Sequence, residues 1–381
     1  MLNNGRGLKA IKKIKRVRDT IYYENPDTFP VADLFFWDEF VTSWKNYFKL
    51  EKEVDIFSYY DLDIVVCSPN IDPIINNVVE IEKTENYMIY KGGFGSVLKL
   101  NFTQPIPYFI DYVLKDIKDL VNFEFENPLD ERRFNDYFAV TDQFYKSISF
   151  NEQLGRYKND FCILGNICEA RETIWRIVGL ENELIAIKEF PEILLKFGLR
   201  AADFNIELGK AQLENENIDG LIVYGDIGYS GGLFMDRNSW RNVYLPPLKK
   251  ICQVLKKYNK PLIYHTDGNY LEIMDDLVEI GFNATHPNEA KTGIDVVKLI
   301  EKYKNKIAFF GNIDAANALS IDRPSINKEI NYKLRAISET GGYIPGGDDV
   351  PASVTPENYD YYINYLKNVQ NSLKIQDEYK N

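Results

Sequence analysis

The sequence predicts an α/β protein, a single (β/α)₈ TIM barrel with an antiparallel β-meander inserted between its second and third strands. Three observations carry this. In the second half, apolar β-branched runs at 220–225, 261–265, 282–286, 307–311 and 342–345 alternate with Gly/Asp/Asn-rich breaks and amphipathic stretches. The first half adds three runs of the same kind, 30–35, 63–67 and 161–165, which makes eight. No G-x-G-x-x-G follows any of them, which removes the usual reason to prefer an open doubly wound sheet.

In chain order, residues 1–24 read as a basic helical extension. Leu8, Ile11, Ile14 and Val17 recur every third residue, so the spacing predicts a solvated amphipathic helix. Residues 25–376 are the barrel, with the insertion at about 75–155. Within it, 77–82, 87–91 and 96–100 alternate apolar and polar residues between turns that include Gly92-Gly93 and Gly95. A helical segment is expected over 107–119. Beyond residue 200, Trp240, Val243, Tyr244, Leu248, Ile251, Cys252 and Leu255 recur at helical spacing. Further helices are expected over 270–280, 294–303, 326–339 and 356–373, the last opened by Thr355-Pro356-Glu357.

Composition narrows the function class. Of 381 residues, 45% are apolar and 27% charged, which excludes a disordered or fibrous chain. No run of about 18 apolar residues and no signal-peptide core are found, and Cys67, Cys162, Cys168 and Cys252 are too scattered for a disulfide framework. Buried free thiols and a cytoplasmic location are expected. The net charge is −12, but seven of the 45 bases and one of the 57 acids fall in residues 1–20. The remainder therefore carries 38 bases against 56 acids, and so acidic a body repels nucleic acid.

In a barrel of this type the site lies where the strands end. Polar residues at those exits are Asp33, Trp37, Asp38, Ser68, Asn70, Asp72, Asn166, Glu169, Asp226, His265, Asp267, His286, Asn312, Asp314, Asp348 and Asp349. Both histidines of the chain are among them. His265 and Asp267 stand two apart, so their side chains point the same way and suit a metal or an oriented general base. The alternative is local bonding, with Asp267 capping the next loop. His286, before Pro287, reads as a satisfied loop residue, and Asp348 and Asp349 as adjacent carboxylates that point apart. The glycine-rich segment 225–232 has the composition of a loop that closes over a ligand, but it lacks the ending of a phosphate loop.

The ordered stretches GDIGYSGGLFMDRNSWRNVYLPPLKKI, IYHTDGNYLEIMDDLVEIGFNATHPNE, FFGNIDAANAL and GGYIPGGDDVPASVTPENY resemble the uroporphyrinogen decarboxylase superfamily, over about residues 25–372. The superfamily also holds methyltransferases that act on methylated corrinoid proteins. The resemblance implies one (β/α)₈ barrel with a deep cleft at the strand C-termini. It also separates two branches. True decarboxylases carry an Arg-Gln-Ala-Gly-Arg stretch near the first strand, where this chain reads Val31 to Glu39 without arginine. A mouth with Asp33, Asp38 and Glu39 is expected to repel an octa-acid. The branch's aspartate after strand two falls at Asn70, with Asp72 nearby, and its histidine after strand eight is missing.

The methyltransferase branch holds zinc by His-x-Cys after strand five and a cysteine after strand eight. Here the histidine is His265, the first cysteine is Asp267, and the second falls at Gly347–Asp348. The resemblance thus implies a methyl transfer between a corrinoid (methylcobalamin, or a corrinoid protein partner) and a small acceptor. It gives His265, Asp267, Asp226 and Asp348 as catalytic candidates, and His265, Asp267 and Asp348 as a possible zinc set. Trp37, Asn70, Asp72 and Asn312 are expected to line the corrinoid side. A homodimer is a further expectation. The alternatives are a decarboxylase of a tetrapyrrole or other carboxylated small molecule, and a non-catalytic corrinoid- or tetrapyrrole-binding barrel.

Overall fold

A computed structural model of the chain describes residues 5–77, 79–102, 107–136, 148–337, 341–347 and 349–378. Its strands, in chain order, are β1 (Ile64–Val66), β2 (Val79–Lys83), β3 (Tyr87–Lys91), β4 (Val97–Asn101), β5 (Tyr108–Asp111), β6 (Cys162–Cys168) and β7 (Gly220–Tyr224). They continue with β8 (Gly228–Tyr229), β9 (Gly232–Leu233), β10 (Leu262–His265), β11 (Ala284–His286), β12 (Ala308–Asn312) and β13 (Tyr343–Gly346). Seven of them, β1, β6, β7, β10, β11, β12 and β13, pair in that order as one curled parallel sheet. Strands β2 to β5 form a separate four-stranded antiparallel sheet, and β8 and β9 a short hairpin.

The eighth run, 30–35, is not a regular strand. Pro30 lacks an amide donor, and the amide of Val31 donates to the Asp63 carboxylate at 2.7 Å instead of to a strand carbonyl. The segment still spans the gap between the two edge strands. The amide of Asp63 donates to the carbonyl of Val31 (2.8 Å), and that of Val350 to the carbonyl of Phe35 (2.9 Å). Phe36 bridges Val350 in the parallel sense. Its approach to β13 requires Gly346, where a Cβ would stand 2.0 Å from the carbonyl oxygen of Ala32.

Side-chain alternation divides the core. Ile64, Leu164, Ile222, Ile263, Ala284, Ala308, Phe310 and Ile344 point inward and pack together with Ala32 and Leu34. Their neighbours Val65, Ile163, Val223, Tyr264, Phe309 and Tyr343 point outward to the helices. A third cluster joins Phe40, Trp44, Tyr60, Tyr359 and Tyr362, with rings edge-to-face at 5.2 Å for Phe40–Tyr359, so much of the aromatic content is core. All four cysteines are buried and free, as expected. No helix of the described residues is long and apolar enough to cross a membrane.

Several helices differ from the spacing-based reading. The basic helix Leu8–Ile21 is solvated on one face only: Val17 and Ile21 insert into the inward cluster, and Lys13, Arg16 and, just before the helix, Arg6 find partners at the strand N-terminal end. Arg6 meets Asp219 at 3.0 Å, Lys13 meets Asp61 at 2.6 Å, and Arg16 meets Asp63 at 2.6 Å. A helical period in sequence does not tell an exposed basic face from one that docks on acids distant in sequence. Residues 107–119 are not one helix, because Tyr108–Asp111 pairs with β4 and a 3₁₀ turn capped by Asp116 follows at Ile117–Asn122. The run around 240–255 is two helices, Arg237–Val243 and Leu245–Leu255, since Pro246 and Pro247 begin a new helix more readily than they continue one.

The Arg16–Asp63 pair is buried, and burial raises the Asp63 pKa against the opposing pull of Arg16. Asp63 also holds Val31, so this pair fixes the segment that spans the sheet edges. Arg16→Met should cost about 3–5 kcal/mol in denaturant unfolding by leaving a buried carboxylate without its cation. Adding Asp63→Asn should recover part of that loss. Additive losses would refute the coupling.

Candidate functional site

The inward alternation that builds the core also builds the site. One layer above Ile64, Leu164, Ile222, Ile263 and Ala284 come Val66, Asn166, Tyr224, His265 and His286. Two residues further on, the chain delivers Ser68, Cys168, Asp226 and Asp267 to the same end. A cleft of about 690 Å³ opens there, lined by Val66, Ser68, Asn166, Cys168, Tyr224, Asp226 and His265. Leu34, Phe35, Phe36, Phe57, Phe94 and Tyr157 supply its apolar wall.

Parallel register sets His265 beside both Tyr224 and His286. The two imidazoles meet Nδ1 to Nδ1 at 2.8 Å, with ring planes 26° apart. Phe35 and Phe310 enclose His286, and Phe35 and Tyr224 flank His265. Burial lowers both pKa values, that of His286 far below the ordinary range, which favours the neutral form of each ring.

On the other edge of His265, Nε2 lies 3.7 Å from Asp267 Oδ1. Asp226 Oδ1 accepts from the amide of Asp267 at 3.0 Å. One donor atom each from Asp226, His265 and Asp267 lies within 4.8 Å of the others. Neighbouring ligands on a tetrahedral zinc stand roughly 3.4 Å apart, given bonds of ~2.0–2.1 Å. The set therefore fits a divalent cation after a modest inward rotation, and its one nitrogen and two oxygens make it harder than a thiolate centre.

Carboxylates accumulate behind this trio. Burial raises the Asp226 pKa to about 7, helped by Glu172 and Asp267 and opposed by His265. Glu169 is pushed up to about 8, chiefly by burial, and neither of its oxygens has a hydrogen-bond partner among the described residues. It packs against Gly225, where a Cβ would fall 2.1 Å from Glu169 Cγ, so only glycine fits at the turn into Asp226. The Asp226 backbone is held from outside by a buried chain. Tyr244 donates to Glu183 at 2.7 Å, Glu183 accepts from Arg171 at 3.0 Å, and Arg171 donates to the Asp226 carbonyl. On the cleft wall, Arg176 donates to Glu172 at 2.6 Å.

The residues expected from sequence distribute unevenly. Asp226, His265 and Asp267 come together, and Asp72 lines the cleft further out. Asp348 lies outside the described residues. Asn70 faces its own loop, accepting from the Asp72 amide at 2.9 Å, while its carbonyl accepts from Arg133. The Trp37 indole donates to Asp349 and does not line the cleft, where Phe35 and Phe36 stand instead. Asn312 is a structural tie: its amide donates to the carbonyls of Asn288 and Ile294, and its oxygen accepts from Lys333 and Val296.

The expected acidic mouth also needs correction. Asp33 is buried, accepting from Gly347 N at 2.5 Å and Tyr359 at 3.0 Å, and Asp38 and Glu39 do not line the cleft. The lining carries Lys45, Lys52, Arg156 and Arg176 alongside Glu53, Asp55, Asp72, Glu172 and Asp226. Sequence reading missed these bases because they come from helices and loops away from the strand ends. It also missed His286 as a partner of His265, which only the adjacency of β10 and β11 reveals.

Comparison with known proteins adds a family and a fold. The family model described as uroporphyrinogen decarboxylase (URO-D) matches residues 156–369. A search of curated proteins finds no match. Among solved structures, a methyltransferase from Methanosarcina mazei superposes with a TM-score of 0.63 at 16% identity, covering 97% of this chain and 99% of its own. An intracellular xylanase from Thermoanaerobacterium saccharolyticum, 9% identical, covers 92% of this chain and 91% of its own at a TM-score of 0.39.

Because Glu169 has a raised pKa when folded, its charging opposes the folded state. The stability its raised pKa contributes is fully present below the ordinary carboxyl pKa of 4.5 and is lost as pH rises through about 8. Glu169→Gln should therefore match wild type in thermal stability near pH 5 and exceed it by several degrees at pH 8.5. A variant equally or less stable at pH 8.5 would show that Glu169 is charged and compensated.

Proposed function

The chain belongs to the uroporphyrinogen decarboxylase family, and on that premise we propose that it is a methyltransferase, moving a methyl group between a corrinoid on a partner protein and a small acceptor held in the cleft. The observation that supports this reading is the convergence of Asp226, His265 and Asp267 at one edge of an aromatic-walled cleft. In-line methyl transfer needs an acceptor lone pair aimed at the methyl carbon, a group to take the acceptor's proton, and few competing waters. Phe35, Phe36, Phe57 and Phe94 give the cleft one apolar wall. With no cation bound, Asp226 or Asp267 takes the acceptor's proton as the new bond to carbon forms, and the cobalt–carbon pair stays on cobalt. A cleft of about 690 Å³ suits a small acceptor and leaves the larger corrinoid to be presented at the mouth.

A divalent cation such as zinc is the cofactor these three residues would hold, and when bound it would supply Lewis-acid charge that makes the acceptor easier to deprotonate. With oxygen ligands in place of thiolates, the site favours an oxygen or nitrogen acceptor over a thiol. A cytoplasmic setting is consistent with four free cysteines. The second reading, a decarboxylase of a carboxylated small molecule, is favoured by one observation. Arg156, Arg176, Lys45 and Lys52 on the cleft lining could grip carboxylates.

Methylcobalamin supplied with an acceptor panel should be demethylated, as followed by absorbance. His265→Ala should slow that reaction roughly 100-fold or more. Native protein should carry about one metal per chain by mass spectrometry, lost in Asp267→Ala. No demethylation with any acceptor would sink the methyltransferase reading even if metal is bound. Carbon dioxide release from uroporphyrinogen or a simpler polycarboxylate would install the second.

A further inference from the structure

His286 has no place in the mechanism above, yet it is fully buried directly behind the histidine that does. We propose that His286 is a positioning residue of this site, dictating which nitrogen of His265 carries the proton that faces the cleft. The main chain fixes its ring. Thr266 N donates to the carbonyl of His286 at 3.0 Å, β11 pairs His286 with His265, and Phe35 and Phe310 confine the imidazole on its sides. The 2.8 Å contact between the two Nδ1 atoms requires one proton between them, donated by one ring and accepted by the other.

Two arrangements of neutral rings satisfy that contact, and they differ at the far nitrogen of His286. Its Nε2 is buried and has no hydrogen-bond partner among the described residues. If His265 donates, the proton of His286 must sit on Nε2 as a buried donor with nothing to bond. If His286 donates, the same Nε2 is a bare lone pair. An orphaned buried N–H is the rarer and costlier condition. The structure therefore favours His286 Nδ1–H donating to His265 Nδ1. His265 then carries its proton on Nε2, facing Asp267 Oδ1 at 3.7 Å and Asp226 beyond it.

The consequence is a linked pair of tautomers. A cation can bind His265 only at an Nε2 without a proton, and His265 must then carry its proton on Nδ1. His286 turns from donor to acceptor and holds its own proton on Nε2. Each ring keeps one proton, so the pair's charge is unchanged, and both tautomers reverse together. This second half rests on the cation-binding reading; the metal-free assignment does not.

Because the chain has two histidines, long-range ¹H–¹⁵N spectra of labelled protein resolve both rings, and His286→Asn assigns them by subtraction. Metal-free wild type is expected to show a protonated Nε2 on His265 and a protonated Nδ1 on His286. Zn²⁺ should reverse both at one stoichiometry. His286→Leu should leave metal-free His265 averaging between tautomers, because its Nδ1 has lost the donor that fixed the proton on Nε2. His286→Asn, which keeps a polar atom near the Nδ1 position, should keep a single tautomer. Finding metal-free His265 protonated on Nδ1, or held in the same single tautomer in His286→Leu as in wild type, overturns the proposal. If wild type binds no Zn²⁺, the cation reading fails on its own, and the metal-free spectra still decide the role of His286. Should the leucine variant not fold, wild type and His286→Asn suffice.

Discussion

The arrangement at the cleft depends on the register in which β7, β10 and β11 end. Tyr224, His265 and His286 are direct partners across two parallel pairings, so three consecutive strand ends deliver their inward side chains to one place. Parallel strands with a period of two leave no freedom here. A slip of one residue would turn His265 outward toward the helices and bring Tyr264 or Thr266 into the cleft. The same register makes Asp226 and Asp267 neighbours, since each lies two residues past a paired position.

Charge is handled differently at the two ends of the sheet. At the strand N-terminal end, Arg6, Lys13 and Arg16 of the first helix and its lead-in meet Asp219, Asp61 and Asp63, and buried charges are matched in pairs. At the C-terminal end, Glu169 and Asp226 are buried with less compensation, and both have pKa values raised toward or past neutrality. Matched pairs hold a structure together. Buried acids with raised pKa values and few partners are instead the electrostatic pattern of a candidate site.

Support for the working end comes from outside the cleft. The Tyr244–Glu183–Arg171 chain reaches the Asp226 carbonyl through the turn at Tyr244 and two helices, and Glu169 fills the space that Gly225 leaves open. Asn312, which the sequence places at a strand exit beside the candidates, belongs to this supporting layer, with both amide hydrogens and its oxygen committed to protein. A strand exit therefore supplies both site residues and the ties that hold neighbouring loops.

The sequence by itself determined the periodic facts: the parallel α/β class, seven of the eight strand positions, and the pairing of His265 with Asp267 on one face. These are local, because alternation and cap chemistry are written into residues a few positions apart. The irregular backbone of 30–35 was not legible, since its amide partner, Asp63, lies on another element. The docking of the basic helix was hidden for the same reason. So were the His265–His286 contact, the joining of Asp226 to His265 and Asp267, and the mixed charge of the cleft. Each depends on which strands become neighbours and which side chains lose water, and only the closed packing of distant segments decides that.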